Sequence, residues 1–231
     1  AYVPIMTGCN NFCAYCVVPY VRGRERSRPV KDILAEVKKL IKNGYKEIIL
    51  LGQNVNSYRG KLKVKSQKLK VIDFATLLKI INNIPGDFRI KFLTSHPKDM
   101  SDELIDAVAK LDKVVKYIHL PVQAGDNQVL KRMNRGYTVR HYKNLIKKIR
   151  AKIPGVMITT DIIVGFPSET KKQFEKSVKL FKEIKFDMAY IAQYSPRAGT
   201  AAAKMKDDVP KAEKKRRWGV LNNLLMNYGR R

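Results

Sequence analysis

The sequence predicts an α/β fold in which parallel β-strands alternate with α-helices. Short apolar or β-branched runs alternate six times with longer segments of helical period. Parallel strands need crossover connections, and helices supply them. The chain has 231 residues, of which 45% are hydrophobic, so a sizeable core can form. An open doubly wound sheet and a partial or full barrel both fit this order, although six units are fewer than the eight of a complete barrel.

The strands are predicted from runs rich in β-branched and large apolar residues. In chain order they are Tyr2–Met6, Glu47–Leu51, Arg89–Thr94, Val115–Val122, Val156–Val164 and Met188–Tyr194. Between the second strand and its helix, Arg59–Lys70 has lysine on alternate positions and no evident apolar face. We interpret this segment as a solvated excursion that could serve as a basic contact loop.

The helices are predicted from apolar residues at helical spacing. In Val30–Lys42 such residues fall at i, i+1, i+4, i+7 and i+8, Pro29 precedes the first turn and Gly44 follows the last. The same pattern predicts the remaining helices, which are Asp73–Asn83, Ser101–Lys110, Val139–Lys152, Lys171–Lys185 and about Lys211–Tyr228.

The composition points to a basic protein of a reducing compartment. Lys and Arg total 47 against 20 Asp and Glu, a net charge of +27. Nucleic acid is the obvious anionic partner, and a lysine-rich solvated surface is the alternative. No apolar run reaches the roughly 18 residues of a membrane span, and no signal-peptide pattern opens the sequence. Three clustered cysteines without a framework of pairs favour the cytoplasm.

Neutral polar residues, glycines and prolines follow every predicted strand. In a parallel α/β fold the carboxyl ends of the strands gather the chemistry. The six strands run into "TGCNNFCAYC", "LLGQNVNSY", "LTSHP", "HLPVQAGDN", "TTDIIVGFPSET" and "QYSPRAGT". Ordinary turn and capping chemistry explains any one of these segments. Together they predict a rim that binds a polar ligand, with His119 as a core residue rather than a base.

The reactive groups of this rim are Cys9, Cys13 and Cys16, spaced Cys-x3-Cys-x2-Cys. A structural zinc site needs a fourth ligand, which His96 or His119 would have to supply in space, and a catalytic zinc with three ligands and a water does not usually have thiolates alone. Inert buried cysteines are a second alternative, which the Asn-rich loop disfavours. An iron–sulfur cubane has four irons, so three thiolates leave one iron open to a small molecule.

The cysteine spacing, with Tyr15 before the third cysteine, resembles the cluster motif of the radical S-adenosylmethionine enzymes. The surrounding segments "GCNNFCAYCVVPYVRGRERSRP", "LLGQNVNSY", "TSHP", "HLPVQAG", "MNRGYT", "DIIVGFPSET" and "YSPRAGT" resemble those of the MiaB-type tRNA methylthiotransferases. This family resemblance implies a partial (β/α)6 TIM-like barrel of the radical S-adenosylmethionine type.

The resemblance implies that Cys9, Cys13 and Cys16 ligate a 4Fe–4S cluster whose open iron binds the amine and carboxylate of S-adenosylmethionine. One electron then cleaves the cofactor to methionine and a 5′-deoxyadenosyl radical, which removes hydrogen from C2 of isopentenylated adenosine 37 in tRNA. Sulfur is then inserted and methylated.

The resemblance also implies which residues contact the cofactor. Gln53 is expected to contact the methionyl amine, and Ser95 and Gln123 are expected to contact methionyl or ribose groups. Asp161 is expected to contact a ribose hydroxyl or the amine, the backbone at Tyr15 and Gly165 is expected to lie beside adenine, and Tyr194 is expected to line the adenine pocket.

The resemblance also gives the arginines a role. Arg22 and Arg28 follow the cysteine loop, and Arg135 and Arg197 lie in other predicted rim loops. We expect them to contact phosphates of the tRNA anticodon loop, with solvated surface charge as the alternative.

Full-length relatives implied by the resemblance have further domains. We expect residues 1–209 to form the radical S-adenosylmethionine domain and 210–231 to begin a helix or linker toward a C-terminal TRAM domain. An N-terminal methylthiotransferase domain would hold a second 4Fe–4S cluster outside this chain. An electron donor such as flavodoxin or ferredoxin, a monomeric state and no membrane association complete the expectation. Alternatives are methylthiolation of threonylcarbamoyladenosine in tRNA or of a ribosomal protein, and a non-catalytic RNA-binding fragment with a structural cluster.

Overall fold

A computed structural model describes residues 1–63 and 69–228, which form two compact units. The first unit contains Ala1–Asn10, Arg22–Ile118 and Ile149–Val156. The second contains Asn11–Val21, His119–Lys148 and the chain from Met157 onward.

The strands of the described residues are β1 (Tyr2–Pro4), β2 (Met6–Thr7), β3 (Arg26–Ser27), β4 (Glu47–Leu51), β5 (Arg59–Lys63), β6 (Leu69–Asp73), β7 (Arg89–Leu93), β8 (Tyr117–His119), β9 (Met157–Val164) and β10 (Met188–Gln193). The α-helices are α1 (Val18–Val21), α2 (Val30–Lys42), α3 (Phe74–Asn82), α4 (Asp102–Lys110), α5 (Asn127–Arg132), α6 (Val139–Lys152), α7 (Lys171–Ile184) and α8 (Lys211–Tyr228). Single 3-10 turns cover Val55–Ser57, Pro97–Asp99 and Ala202–Lys204.

Parallel pairing confirms the predicted α/β class. In the first unit the strand order is β1-β4-β7, and both pairings are parallel. The second sheet has the order β8-β9-β10, with β9 and β10 parallel from the Thr159–Met188 pair to the Val164–Gln193 pair. Strands that follow each other along the predicted βα order are therefore neighbours within each sheet.

The long helices begin and end where the sequence pattern predicts. Helices α2, α6 and α8 have the predicted bounds. Helices α3, α4 and α7 are preceded by the capping residues Asp73, Ser101 and Thr170, whose side chains accept hydrogen bonds from backbone N–H groups of the first turn. These helices bury apolar faces in their units, as Leu77 and Ile81 of α3 and Phe174 and Phe181 of α7 illustrate.

Two predicted strands differ in the structure. The first is divided at Ile5, because β2 leaves the parallel sheet and pairs antiparallel with β3. The fourth is confined to β8, three residues long. Beyond β8, Pro121 has no N–H for a sheet ladder, so the regular strand ends, and Gln123, with a φ of +68°, forms only an isolated parallel bridge with Ile162 of β9.

The described part of the predicted excursion at Arg59–Lys70 is β-strand. Strands β5 and β6 pair antiparallel, with Gly60 opposite Ile72. Both of these residues are buried, whereas Lys61 is exposed. The alternating lysines therefore mark the two-residue period of a strand, which the sequence interpretation missed. The part of the prediction that falls on residues 64–68 lies outside the described residues.

Among residues 1–63 and 69–228, no helix has the length and apolar character that a membrane span requires.

Candidate functional site

In the first unit, Cys9 lies in a loop that the β2–β3 ribbon closes. The backbone N–H of Cys9 donates to the carbonyl oxygen of Gly23 at 3.2 Å. Gly8 precedes Cys9 with a φ of +76°, and a Cβ there would lie 2.2 Å from the carbonyl oxygen of Arg24. Only glycine fits this approach. The segment from Arg22 to Arg28 is thereby joined through Gly23 to the backbone of Cys9. Cys9 itself is 9% exposed.

The two predicted RNA contacts of this segment have different surroundings. Arg22 is exposed. Arg28 is half-buried, and its guanidinium donates to the carbonyl oxygen of Pro4 and, at 2.8 Å, to Glu36 Oε2. The phosphate contacts of both arginines stay predictions, but Arg28 already has two acceptors within the protein.

Among the described residues of the first unit, four neutral side chains contain a buried oxygen without a hydrogen-bond partner. They are Gln53 Oε1, Asn54 Oδ1, Asn56 Oδ1 and Ser95 Oγ. The first three follow β4 and Ser95 follows β7, and the two loops are joined by backbone hydrogen bonds of Gly52 with Leu93 and Thr94. An unpaired buried polar group costs about 1–3 kcal/mol. Four of them at adjacent strand ends indicate a place where a polar ligand binds.

In the second unit, the segment after α5 holds the backbone around Cys13. The N–H of Ala14 donates to the carbonyl oxygen of Met133 at 2.9 Å. The side-chain amide of Asn134, whose φ is +55°, donates to the carbonyl oxygen of Phe12 at 2.9 Å. Sequence reasoning missed both residues as functional supports. The only available signal was the segment "MNRGYT", which carries them.

Arg135 is buried beside Cys13, with 5% of its surface exposed. Its guanidinium donates to Cys13 Sγ at 3.2 Å, to the carbonyl oxygen of Pro121 at 3.0 Å and to the hydroxyls of Tyr15 and Tyr137 at 3.4 and 3.1 Å. Burial raises the pKa of the Tyr15 phenol well above its usual range, and it also raises the pKa of Tyr137, while Arg135 opposes both shifts. Both phenols are therefore neutral at physiological pH. The predicted phosphate contact of Arg135 stays a prediction.

Cys16 is half-buried, and its N–H donates to the carbonyl oxygen of Cys13 at 2.9 Å. All three cysteines are thiols rather than disulfides. Within residues 1–63 and 69–228, no group of three or more His, Cys, Asp or Glu side chains has a metal-binding arrangement.

Gln123 and Asp161 are the predicted cofactor residues near β9. Gln123 has a positive φ and is 7% exposed, and its Oε1 has no hydrogen-bond partner. Strained backbone together with an unpaired polar atom is typical of ligand-binding positions. Asp161 lies inside β9 rather than at its end, with Oδ1 3.3 Å from Nε2 of His119. His119 is buried, in agreement with its predicted place in the core.

Gly165 and Tyr194, predicted to flank adenine, pack against the C-terminal helix α8. Gly165 has a φ of +70°, and a Cβ there would lie 2.4 Å from Cγ of Lys214. The hydroxyl of Tyr194 donates to the carbonyl oxygen of Ala202 at 2.9 Å. Lys214 donates to the carbonyl oxygen of Tyr194 and to Asp207. The adenine contacts stay predictions, as does the boundary at residue 210, while α8 lies in the same unit as both residues.

A buried ion pair fastens α8 to the loop after β9. Arg217 lies 2.9 Å from Glu169 Oε2, and both side chains are almost fully buried. Burial raises the pKa of Glu169, while the Gly165 N–H and Arg217 act in the opposite direction. Arg197, the remaining predicted RNA contact, is exposed, and its carbonyl oxygen accepts from Thr200.

Residues 3–181 match the family model of the radical SAM superfamily, where SAM denotes S-adenosylmethionine. The chain therefore belongs to this superfamily, and the predicted class is confirmed.

Within that class, the chain is similar to the tRNA-2-methylthio-N(6)-dimethylallyladenosine synthases, in agreement with the resemblance drawn from the sequence. It is 54% identical over 225 residues to that of Clostridium botulinum (strain Hall), which covers 97% of this chain and 49% of the relative. It is 57% identical over 217 residues to that of Thermoanaerobacter pseudethanolicus, covering 94% and 45%. The chain thus spans about half the length of the curated relatives it matches.

Solved structures support the same fold class. The radical S-adenosylmethionine methyltransferase TsrM from Kitasatospora setae, solved with cobalamin and a [4Fe-4S] cluster, matches 83% of this chain and 34% of its own at 16% identity and a TM-score of 0.65. Coproporphyrinogen III oxidase (HemN) from Escherichia coli is described as a radical SAM enzyme. The match covers 98% of this chain and 51% of the oxidase, at 18% identity and a TM-score of 0.64. At these identities the likeness concerns the fold alone, and the predicted radical SAM fold is confirmed.

Proposed function

We propose that this chain is the cofactor-cleaving domain of a tRNA methylthiotransferase that modifies C2 of N6-isopentenyladenosine at position 37. The observation that carries the proposal is the 54–57% identity, over nearly the whole chain, to proteins named tRNA-2-methylthio-N(6)-dimethylallyladenosine synthase. Identity at this level extends well beyond the cysteine motif that radical SAM enzymes of other branches would share.

The donor set fits a 4Fe–4S cluster with one open iron. Cys9, Cys13 and Cys16 offer three thiols, and thiolates are the usual protein ligands of such clusters. When bound, the cluster supplies the electron that cleaves the sulfonium of S-adenosylmethionine.

The remaining work of the chain is to bind and orient the cofactor. Gln53 Oε1 would accept a hydrogen bond from the cofactor, and the Ser95 hydroxyl would donate or accept one, because these buried oxygens have no partner within the protein. Gln123 would act in the same way in the second unit. Asp161, whose side chain is 36% exposed, is available to accept from a hydroxyl or an amine.

The RNA partner is supported by charge. The net charge of +27 favours a polyanion, and Arg22 and Arg197 are exposed. We place the anticodon loop of tRNA on these arginines. The proposal includes an electron donor such as flavodoxin or ferredoxin, and a sulfur supply from a second cluster outside this chain.

Anaerobic reconstitution tests the first step. We expect about four irons per chain, as a cubane requires, and 5′-deoxyadenosine that forms only with dithionite. Cys13→Ala should lose the iron and the product, whereas Asn10→Ala, an exposed change in the same loop, should keep both. A reconstituted chain that binds S-adenosylmethionine without ever cleaving it would refute the radical assignment.

The substrate is tested with tRNA deuterated at C2 of its isopentenyladenosine 37. Deuterium should appear in the 5′-methyl group of 5′-deoxyadenosine, because the proposed step removes that hydrogen. Transfer from a threonylcarbamoyladenosine tRNA instead, with none from isopentenyladenosine, would reject the substrate while leaving the radical chemistry intact.

A further inference from the structure

We infer that Arg135 is a positioning residue for Cys13 that also raises the reduction potential of the bound cluster. The inference rests on the proposed function, in which Cys13 is a cluster ligand. It replaces the phosphate contact that the sequence predicted for Arg135 with a role inside the protein.

Arg135 has no carboxylate counter-charge among the described residues. Arg135 is 5% exposed, and among the described residues its hydrogen-bond acceptors are one thiol, one carbonyl oxygen and two phenols, with no carboxylate in an ion pair. Arg217 in the same unit is equally buried, at 4%, and has Glu169 and Glu213 as ion-pair partners. A buried guanidinium without an anion is costly, so Arg135 requires a negative partner. A thiolate-ligated cluster at Cys13 would provide it.

The guanidinium of Arg135 is held in one orientation by its neighbours. Its Nη2 donates to the carbonyl oxygen of Pro121, and its Nε donates to the hydroxyl of Tyr137. That hydroxyl donates in turn to the carbonyl oxygen of Val122 at 2.7 Å, and the guanidinium carbon lies 5.3 Å from the centre of the Tyr137 ring. These contacts leave Nη1 directed at Cys13 Sγ, 3.2 Å away. The Pro121 carbonyl, the Tyr137 hydroxyl and the Tyr137 ring thus fix the guanidinium of Arg135. A guanidinium fixed in this way positions the sulfur of Cys13 and keeps a positive charge beside it.

The charge of Arg135 would favour electron uptake by a cluster bound at Cys13. Reduction adds one negative charge to the cluster, and a nearby buried cation with an N–H···S hydrogen bond stabilises the reduced form more than the oxidised form. Removing the cation should therefore shift the potential to a more negative value. A contact with an RNA phosphate would have no such effect in the absence of RNA.

The experiment is a dithionite titration of the reconstituted chain without RNA, followed by the electron paramagnetic resonance signal of the reduced cluster. Arg135→Gln should lower the ratio of reduced to oxidised cluster at least tenfold at a fixed potential, a shift of about 59 mV for one electron. Arg135→Lys, which keeps the charge but not the fork, should lie between Arg135→Gln and the wild type. Arg132→Gln, at the end of α5 in the same unit, should match the wild type.

The outcomes separate the two proposals. A wild-type chain that holds no 4Fe–4S cluster overturns the proposed function. A wild-type cluster together with an unchanged potential and iron content in Arg135→Gln overturns only this inference. If thermal melting shows that Arg135→Gln is unfolded, Tyr137→Phe, which removes one hydroxyl from the guanidinium, replaces it. In that variant, a ratio of reduced to oxidised cluster at least about twofold lower than in the wild type supports the inference, and an unchanged ratio rejects it.

Discussion

Ser95 in the first unit and Thr160 in the second are both buried hydroxyls, at 5% and 0% exposure. Thr160 Oγ1 accepts from the N–H of Val122 at 2.9 Å and donates to the carbonyl oxygen of Leu120 at 3.0 Å. Ser95 Oγ has no hydrogen-bond partner. A paired hydroxyl stabilises the fold, whereas an unpaired one is a cost that a ligand can remove.

The buried charges extend this difference between the units. In the second unit Glu169 pairs with Arg217, and Lys214 pairs with Asp207 at 2.6 Å. The first unit instead buries neutral amides, and the oxygens of Asn54 and Asn56 have no partner. Buried ion pairs of this kind indicate a structural role for their residues, whereas buried polar atoms without partners indicate a ligand-binding role. Among the described residues of the second unit, Gln123 Oε1 and Arg132 Nε are also buried without a partner. The guanidinium of Arg132 donates through Nη2 to Ser168 and Gln173, so Gln123 is the neutral side chain that resembles those of the first unit.

The largest expected effect comes from breaking the buried pair of the second unit. Arg217→Met should lower the free energy of unfolding by about 3–5 kcal/mol, because Glu169 would remain buried without its cation. Urea unfolding at neutral pH measures this change. Arg216→Met is the matched control, since Arg216 pairs with Glu213 at the surface of the same helix and should contribute at most about 1 kcal/mol.

The pH dependence of Arg217→Met gives a second measurement. Burial already raises the pKa of Glu169, and loss of Arg217 removes a charge that lowers this pKa. A carboxyl with a raised folded-state pKa contributes stability that is present at low pH and is lost as pH rises through that pKa. The deficit of Arg217→Met should therefore be smaller at about pH 5 than at about pH 7. Equal deficits at both pH values would contradict a buried carboxylate as the cause.

A smaller effect is expected from the two hydroxyls. Thr160→Val should cost about 1–3 kcal/mol of stability, because it leaves the N–H of Val122 and the carbonyl oxygen of Leu120 without this partner. Ser95→Ala should change stability by less than about 0.5 kcal/mol while weakening S-adenosylmethionine binding by about fivefold, roughly the value of one hydrogen bond.

Urea unfolding and cofactor binding to the reconstituted chain, measured on both variants, check this contrast. The contrast fails if Ser95→Ala destabilises the chain as much as Thr160→Val does, or if cofactor affinity does not change.

Much of the fold was predictable because its signals are local. Helix α2 shows its apolar period over 13 residues between Pro29 and Gly44, and its bounds were predicted to the residue. Helix α5 has six residues, too few for a period to show, and was missed. In β5 the lysines alternate with Gly60 and Leu62 on the opposite face, and this strand period was missed because the glycine weakens the apolar signal of that face.

The candidate site also has a part that local sequence predicts and a part that it does not. The cysteine spacing is local, and the motif identified the class of protein. The surroundings of Arg28 and Arg135 depend on residues far along the chain, such as Glu36 and Pro121. An exposed arginine, an arginine in a half-buried ion pair and an arginine buried beside a cysteine therefore look alike in sequence, since each lies in a polar loop.

The smallest expected effect concerns Arg22, an exposed charge of the first unit. If Arg22 contacts one phosphate, Arg22→Ala should weaken tRNA binding modestly and reduce the slope of log K against log salt by about one, since each neutralised phosphate releases condensed counterions. Arg89→Ala is the control, because Arg89 is also exposed but lies at the amino end of β7, away from the carboxyl ends that carry Gln53 and Ser95. Filter binding over a range of salt concentrations measures both slopes. Equal slopes for the two variants would mean that Arg22 contributes only general surface charge, and the approach of RNA would then have to be sought at Arg197.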